Sequence, residues 1–230
     1  MACVQHRSPG PLSAAISRRD ALFLIGGSAA APWASAQGTA GKHLVASIPV
    51  LPWLSIGQTT ENDVRGPVQS LMNAKPRPWF RDGASEITGG RYMSISSLAG
   101  RGVAGEEGLK ILTMVFDTAR RAQLAIMTVD KGWNGANVEP LIARMTARYR
   151  SYAQPVRIRD GDSEATDLYI FFDIGRFCIE IAIPQHGSYA SVHFTTKAIH
   201  KLIRTADGTF DLFVPYLEKT SSPAGSSSNL

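Results

Sequence analysis

The sequence is poor in the residues on which several protein classes depend. It has two cysteines in 230 residues, too few for a disulfide scaffold or a multi-cysteine zinc module. Charged residues make up 19% and hydrophobic residues 44%, which excludes a wholly disordered chain and a coiled coil. No apolar run approaches the ~20 residues that a membrane-spanning helix needs. The Gly-x-Ser-x-Gly and P-loop motifs are also missing, so the sequence carries no standard serine-hydrolase or phosphate-binding signature.

The first 36 residues predict a signal peptide. Arg18 and Arg19 precede a short apolar stretch, and Ala34-Ser35-Ala36 supplies the small-x-small pattern that signal peptidase accepts. The segment around the arginine pair resembles a twin-arginine (Tat) signal. We therefore predict export through the Tat translocase, cleavage after Ala36 and a periplasmic or secreted location. A Sec signal that carries two arginines is the alternative.

Cleavage changes both the charge and the cysteine content. It removes three arginines and one aspartate, so the formal charge falls from +5 to +3. A charge this small gives no reason to expect nucleic-acid binding. Cys3 leaves with the signal, and Cys178 alone cannot form an internal disulfide. The mature chain contains no predicted membrane span.

Hydrophobic periodicity predicts an α+β fold made of two helix-plus-three-strand antiparallel meander units in tandem. In the first unit, residues 59–134, a helix capped by Thr59 or Thr60 precedes strands over 91–98, 109–116 and 121–129. In the second, residues 135–206, a helix from Val138 to about Tyr152 precedes strands over 168–174, 177–183 and 189–195. Residues 37–58 form a linker and extended segment, and 207–230 a C-terminal segment with a Ser-rich, disordered tail.

The entry to the first helix invites a family comparison. Residues 56–64, Ile-Gly-Gln-Thr-Thr-Glu-Asn-Asp-Val, resemble the helix entry of small outer-membrane assembly lipoproteins of the SmpA/OmlA (BamE-like) class. Two such units in tandem are similar to the architecture of the β-lactamase inhibitor protein. The resemblance implies an envelope-associated binding protein. The lipidated cysteine of the lipoprotein class has no counterpart here, and a shared fold does not transfer function.

The residues that favour catalysis or metal binding lack a supporting context. Cys178 with His193 on a neighbouring strand is one conceivable nucleophile–base pair, but its apolar neighbours favour a buried structural cysteine. His186 and His200 share a seven-residue spacing with His193 without a ligand motif. The carboxylates of 160–164 lack the EF-hand pattern. We therefore predict no catalytic residue, no metal ligand and no cofactor, although enzyme activity stays open.

Aromatic residues in predicted loops favour protein binding instead. Trp79 and Phe80 adjoin Arg81, and Trp133 lies in another loop beside a lysine. For each tryptophan by itself, burial in the core is the better expectation, but the group as a whole favours binding. The sequence therefore predicts a non-enzymatic, envelope-associated protein-binding module. Its binding surface would be the outer face of the sheets or the loops over 75–90 and 101–107. The family resemblance implies that its partner is an envelope protein. The alternative is a small-ligand-binding protein or hydrolase with a pocket between the two units.

Overall fold

The computed structural model describes residues 45–101, 103, 108–161 and 166–217. The strands are β1 (Ile48–Leu51), β2 (Leu54–Ile56), β3 (Trp79–Ala84), β4 (Arg91–Ser96), β5 (Leu109–Phe116), β6 (Ala122–Asp130), β7 (Val156–Arg159), β8 (Leu168–Ile174), β9 (Phe177–Ile183) and β10 (Tyr189–Thr196). The helices are α1 (Glu61–Met72), α2 (Val138–Tyr149), α3 (Lys197–Ala206) and α4 (Val214–Leu217), with 3₁₀ turns at Trp133–Gly135 and Phe210–Leu212.

The described residues are mostly β-structure, and the predicted fold class was wrong. Eight strands form one antiparallel sheet in the order β3-β4-β5-β6-β10-β9-β8-β7, and β1 and β2 form a separate hairpin. The sheet is continuous because β6 pairs with β10 along seven residue pairs, from Tyr189↔Asp130 to Thr195↔Leu124. The chain is therefore not two helix-plus-three-strand units in tandem.

Two strands that the sequence did not predict account for much of this difference. β3 lies inside the stretch 75–90 that was interpreted as a loop, and β7 covers only four residues. Neither gives a strong periodic signal, because β3 has the polar sequence Trp-Phe-Arg-Asp-Gly-Ala and β7 is short. Each of them pairs with a predicted strand on one side only and forms an outer edge of the sheet.

The predicted helix starts are confirmed. Thr60 is the N-cap of α1, and its backbone N–H donates to the Asp63 carboxylate at 2.8 Å. This bond lowers the pKa of Asp63 from its ordinary value. Asn137 stands before α2, although that helix ends at Tyr149 and not near Tyr152. Local capping chemistry thus determined where these helices begin.

One face of the sheet carries a continuous apolar core. The strand registers align six buried side chains in a row across the sheet: Ile95, Leu112, Met127, Val192, Ile181 and Ile170. Buried residues of α1, α2 and the β1–β2 hairpin belong to the same cluster. The Tyr149 hydroxyl on α2 donates to the Pro49 carbonyl of β1 at 2.6 Å, which ties the hairpin to the helix.

The opposite face is covered over one half. A smaller cluster joins residues of β7, β8 and β9 to the C-terminal segment, with Phe213 at its centre against Tyr169 and Phe171. α3 follows β10 directly and places His200 and Arg204 against β9. On this face, the strands from β6 to β3 carry mainly half-buried side chains, which include Ser94, Thr113 and Ile126.

Candidate functional site

The edge strand β3 displays three of the four residues that were predicted to form a binding surface. The exposed fraction is 74% for Trp79 and 38% for Phe80, and Arg81 beside them is also exposed. Successive residues of a strand face opposite ways, so Trp79 and Arg81 share one face of the sheet and Phe80 lies on the other. The predicted surface is therefore an edge of the sheet that presents side chains to both faces.

Trp133 is the most exposed of the three predicted aromatic residues but lies elsewhere. Its exposed fraction is 87%, in the 3₁₀ turn that follows β6. β6 is three strand spacings, about 14 Å, from β3. Trp133 borders a cleft of about 670 Å³ that is also lined by Lys110, Asp130 and Arg144. Lys110 of β5 and Asp130 of β6 form an ion pair in this cleft, with 3.2 Å between Nζ and Oδ2.

The outer backbone of β3 has no partner strand among the described residues, because β3 is the terminal strand of the sheet. Ser85 follows β3 directly, and Gly90 precedes β4. The Ser85 N–H donates to the Gly90 carbonyl at 2.9 Å, so these two residues form a hydrogen-bonded pair that continues the β3–β4 ladder. Hydrogen-bonded and non-hydrogen-bonded pairs alternate in an antiparallel ladder. Phe80, Asp82 and Ala84 therefore direct their N–H and C=O groups away from β4.

The apolar row of the core ends at this edge. Phe80 pairs with Ile95, so Phe80 occupies the last position of the row that runs through Leu112 to the centre of the sheet. Its position explains why an aromatic side chain stands on an otherwise polar strand: one of its sides covers the core and the other is open. Sequence reasoning found the aromatic residue but assigned it to a loop.

A pocket of about 340 Å³ adjoins Phe80 between α1 and the edge of the sheet. Val68, Phe80 and Met93 supply its apolar walls, and Glu61 and Arg65 line it as well. The Glu61 carboxylate is buried; its Oε1 accepts from Arg65 at 3.1 Å. Its Oε2 has no hydrogen-bond partner within the described part of the chain. A buried acceptor without a donor is costly, so this pocket favours an incoming donor group.

A buried polar cluster lies under α3 on the other face of the sheet. The Glu180 carboxylate of β9, which is fully buried, accepts from Arg204 Nε at 2.9 Å and lies 2.7 Å from His200 Nε2. The Arg204 guanidinium contacts the carboxylate a second time and also donates to Asp207 at 2.6 Å. His193 Nδ1 lies 3.7 Å from the same carboxylate. Sequence reasoning missed the cluster, although a lone glutamate in Phe-Cys-Ile-Glu-Ile-Ala-Ile was a signal for it.

The cluster sets the charge states of its members. Burial would raise the pKa of Glu180, but the His200 hydrogen bond, His193 and Arg204 together lower that pKa to about 2. Burial lowers the pKa of His193, against the opposing effect of Glu180. For Arg204, burial lowers the pKa, but the hydrogen bond and charge of Glu180 together with Asp207 and Tyr169 outweigh it, so the pKa is raised above its ordinary value. A fixed carboxylate–guanidinium pair is an arrangement that holds a helix on a sheet.

The candidate nucleophile is buried. Cys178 is fully buried on β9, and burial raises its pKa well above the ordinary value, so it is a thiol at neutral pH. Its register partner on β10 is Thr195, two pairs away from the Glu180–His193 pair. His200 packs between aromatic rings, and His186 lies in an exposed turn. Among the described residues no group of three or more His, Cys, Asp or Glu is placed to hold a metal ion.

Several predicted features lie outside the described residues. These are the signal residues Arg18, Arg19, Ala34 and Ala36, most of the loop 101–107 and much of the acidic segment 160–164. In the part of the chain that the structure describes, no helix is both long enough and apolar enough to cross a membrane. Comparison of the chain with known protein families, curated proteins and solved structures finds no match.

Proposed function

We propose that the protein is exported to the periplasm by the Tat route and acts there as a non-enzymatic, envelope-associated protein-binding module. The observation that supports this proposal is the edge strand β3, which presents Trp79, Phe80 and Arg81 to solvent. Exposed tryptophan and arginine residues are typical anchors of protein interfaces. The buried state of Cys178 and the ion-paired, buried state of Glu180 favour a structural role for the residues most suited to catalysis.

Site-directed photo-crosslinking in the native host tests the binding proposal. A photoreactive phenylalanine analogue replaces Phe80, with the same analogue at Tyr152 as the control, since that side chain is exposed to a similar extent, 40% against 38%. We expect a discrete crosslinked protein from the envelope fraction at Phe80 and none at Tyr152. Crosslinks that are equal at both positions would contradict a specific surface at β3.

Export has its own test. We expect the recovered protein to begin at Gln37 by intact mass, and a variant with Arg18 and Arg19 both replaced by lysine to accumulate uncleaved in the cytoplasm. An intact Met1 in the envelope fraction would contradict the assigned signal. Cleavage that persists in the double lysine variant would instead indicate the Sec route.

The cleft beside Trp133 supports small-ligand binding as a second candidate function. Its volume of about 670 Å³ is within the range of ligand sites, and its wall combines an indole ring with Lys110 and Arg144. Because Asp130 of the same wall already pairs with Lys110, the indole ring of Trp133 is the main determinant, and it favours a planar ligand. Native mass spectrometry of the protein from its own envelope fraction distinguishes the two candidates, because a bound small molecule that is lost in Trp133→Ala would favour the cleft.

A further inference from the structure

We propose that β3 receives an extended, acidic segment of a partner protein as a ninth strand of the sheet. This inference rests on the proposed protein-binding function and specifies its mode. Strand addition uses main-chain hydrogen bonds for affinity and alternate side chains for specificity. β3 offers both, because the N–H and C=O groups of Phe80, Asp82 and Ala84 point away from β4 and the side chains on either face are exposed.

The other edge strand of the sheet, β7, is short and is packed against other parts of the chain. β7 has four residues against six in β3, and Ile158 at its centre is buried under the cluster around Phe213. Arg157 on β7 is engaged by Glu139 of α2 at 3.2 Å. Within the part of the chain that the structure describes, no helix or loop covers β3 in a comparable way, and most of its side chains are exposed. Short, covered edges are a common protection against unwanted pairing, so the length and exposure of β3 distinguish it.

Charge favours an acidic occupant over a second copy of this chain. The segment before β3 and β3 itself carry three exposed cations, Lys75, Arg77 and Arg81. The one acidic residue of β3, Asp82, is already paired with Arg91 at 2.6 Å. Parallel in-register pairing of β3 with β3 of a second copy would bring these cations against the same cations, and antiparallel pairing centred on Arg81 would place the two Arg81 side chains opposite each other. A segment with glutamate or aspartate on the Arg81 face would instead meet opposite charges.

The other face of the added strand would meet the pocket beside α1. A residue opposite Phe80 continues the apolar row of the core, and a neighbouring side chain on that face reaches the pocket where Glu61 Oε2 lacks a donor. A threonine or serine hydroxyl there would satisfy this oxygen while its methyl or methylene group contacts Val68 and Met93. The geometry thus favours a segment that alternates small hydroxyl residues with acidic residues.

Amide hydrogen exchange with a synthetic peptide tests the proposal. The probe alternates threonine and glutamate over about nine residues, which is near the upper end of typical strand lengths. We expect the amides of Phe80, Asp82 and Ala84 to exchange at least about tenfold more slowly at saturation, while Trp79, Arg81 and Gly83, which already face β4, change little. This even–odd pattern is specific to strand addition. Equal protection of all six amides, or protection elsewhere in the sheet, would overturn it.

Matched variants test the two side-chain contributions. Arg81→Glu is expected to weaken binding about tenfold, whereas Arg157→Glu, an exposed arginine on the opposite edge strand, leaves it unchanged. Glu61→Gln is expected to weaken the threonine–glutamate peptide but not a valine–glutamate peptide, which lacks the hydroxyl. Equal effects of Arg81→Glu and Arg157→Glu would mean non-specific attraction to a basic surface and would overturn the proposal.

Backbone variants separate strand addition from other binding modes. A peptide with N-methyl groups on the residues that face β3 cannot form the ladder and is expected not to bind. Ala84→Pro removes one outward N–H and serves as the reciprocal test, with thermal unfolding to verify that it folds. Full binding of the N-methylated peptide would overturn the mode, as would concentration-dependent self-association of the unliganded protein through Phe80.

The outcomes distinguish this inference from the proposed function. A Phe80 crosslink to an envelope protein with no even–odd protection would retain the binding function and reject strand addition. The protection pattern with the peptide, but no crosslinked protein in the envelope, would retain the strand-addition site and reject the envelope role.

Discussion

The carboxylate of Glu180 on β9 lies 2.7 Å from Nε2 of His200 on α3, at a position that is fully buried. Together with Arg204, one turn further along the helix, His200 anchors α3 to the centre of the sheet. His200 and Arg204 are four positions apart in sequence, so both side chains lie on the same side of α3. The buried charge of Glu180 is thus compensated by a single helix, and the stability of the C-terminal segment depends on it.

Replacing Glu180 by glutamine should destabilise the protein strongly. The change leaves the Arg204 guanidinium, 7% exposed, without its main counter-charge, and removal of one partner of a buried pair costs about 3–5 kcal/mol. Urea unfolding measures the difference. The matched control is Glu139→Gln, which breaks the exposed pair with Arg157 and should cost less than about 1 kcal/mol. Similar losses in both variants would contradict the anchoring role.

Acid should unfold the protein in the range where Glu180 titrates. Its pKa is about 2 in the folded protein against 4.5 for the free side chain, so the unfolded state binds the proton more readily. The resulting stability is fully present above pH 4.5 and is lost as the pH falls toward 2. Its size is a few kcal/mol. Urea midpoints measured across this range should fall steeply in the wild type and much less in Glu180→Gln.

His193 should add a second loss of stability at milder pH. Burial lowers its pKa below 6.5 in the folded protein, so the folded state favours the neutral ring. This contribution is present above pH 6.5 and decreases as the pH falls through the folded pKa. His193→Gln should remove this part of the pH dependence while leaving the part below pH 4.5. An unchanged profile in that variant would show that His193 is not the responsible group.

Cys178 should react only when the protein unfolds. Its side chain is fully buried, and burial raises the pKa of the thiol. In the folded state the sulfur is therefore neither accessible to a reagent nor ionised. In a Cys3→Ser background it is the sole cysteine. We expect its alkylation by iodoacetamide to follow the urea unfolding curve. Rapid alkylation in native buffer, at the rate of a free thiol, would contradict the buried placement.

Gly90→Ala should disrupt the end of β4. A Cβ at this position would lie 2.2 Å from the Phe116 carbonyl oxygen, so the backbone of β4 or β5 must move. The expected loss is about 2–3 kcal/mol in urea unfolding. Gly187→Asn is the control, because Gly187 lies in open space at positive φ, where asparagine is tolerated at a cost under about 1 kcal/mol. A loss for Gly90→Ala no larger than for the control would argue against this close approach.

The sequence predicted most helices and strands because their signals are local. Thr60 and Asn137 stand before helices, and the alternation over residues 109–116 and 177–183 marks strands that the structure contains. The exposure of Trp79 and Trp133 also agrees with their position outside the strong periodic patterns. Export and function stay predictions, since the signal residues lie outside the described part of the chain.

The arrangement of these elements was decided by long-range pairing. No local sequence signal predicts that β6 pairs with β10. This pairing joins the two predicted meanders into one sheet, and it makes the predicted tandem units wrong. The same pairing brings His193 opposite Glu180, and α3 then supplies His200 and Arg204. Hydrophobic periodicity and capping therefore determined many of the helices and strands, but not β3 or β7. Only the tertiary structure decided which edge stays open, because an edge exists only once the strand order is known.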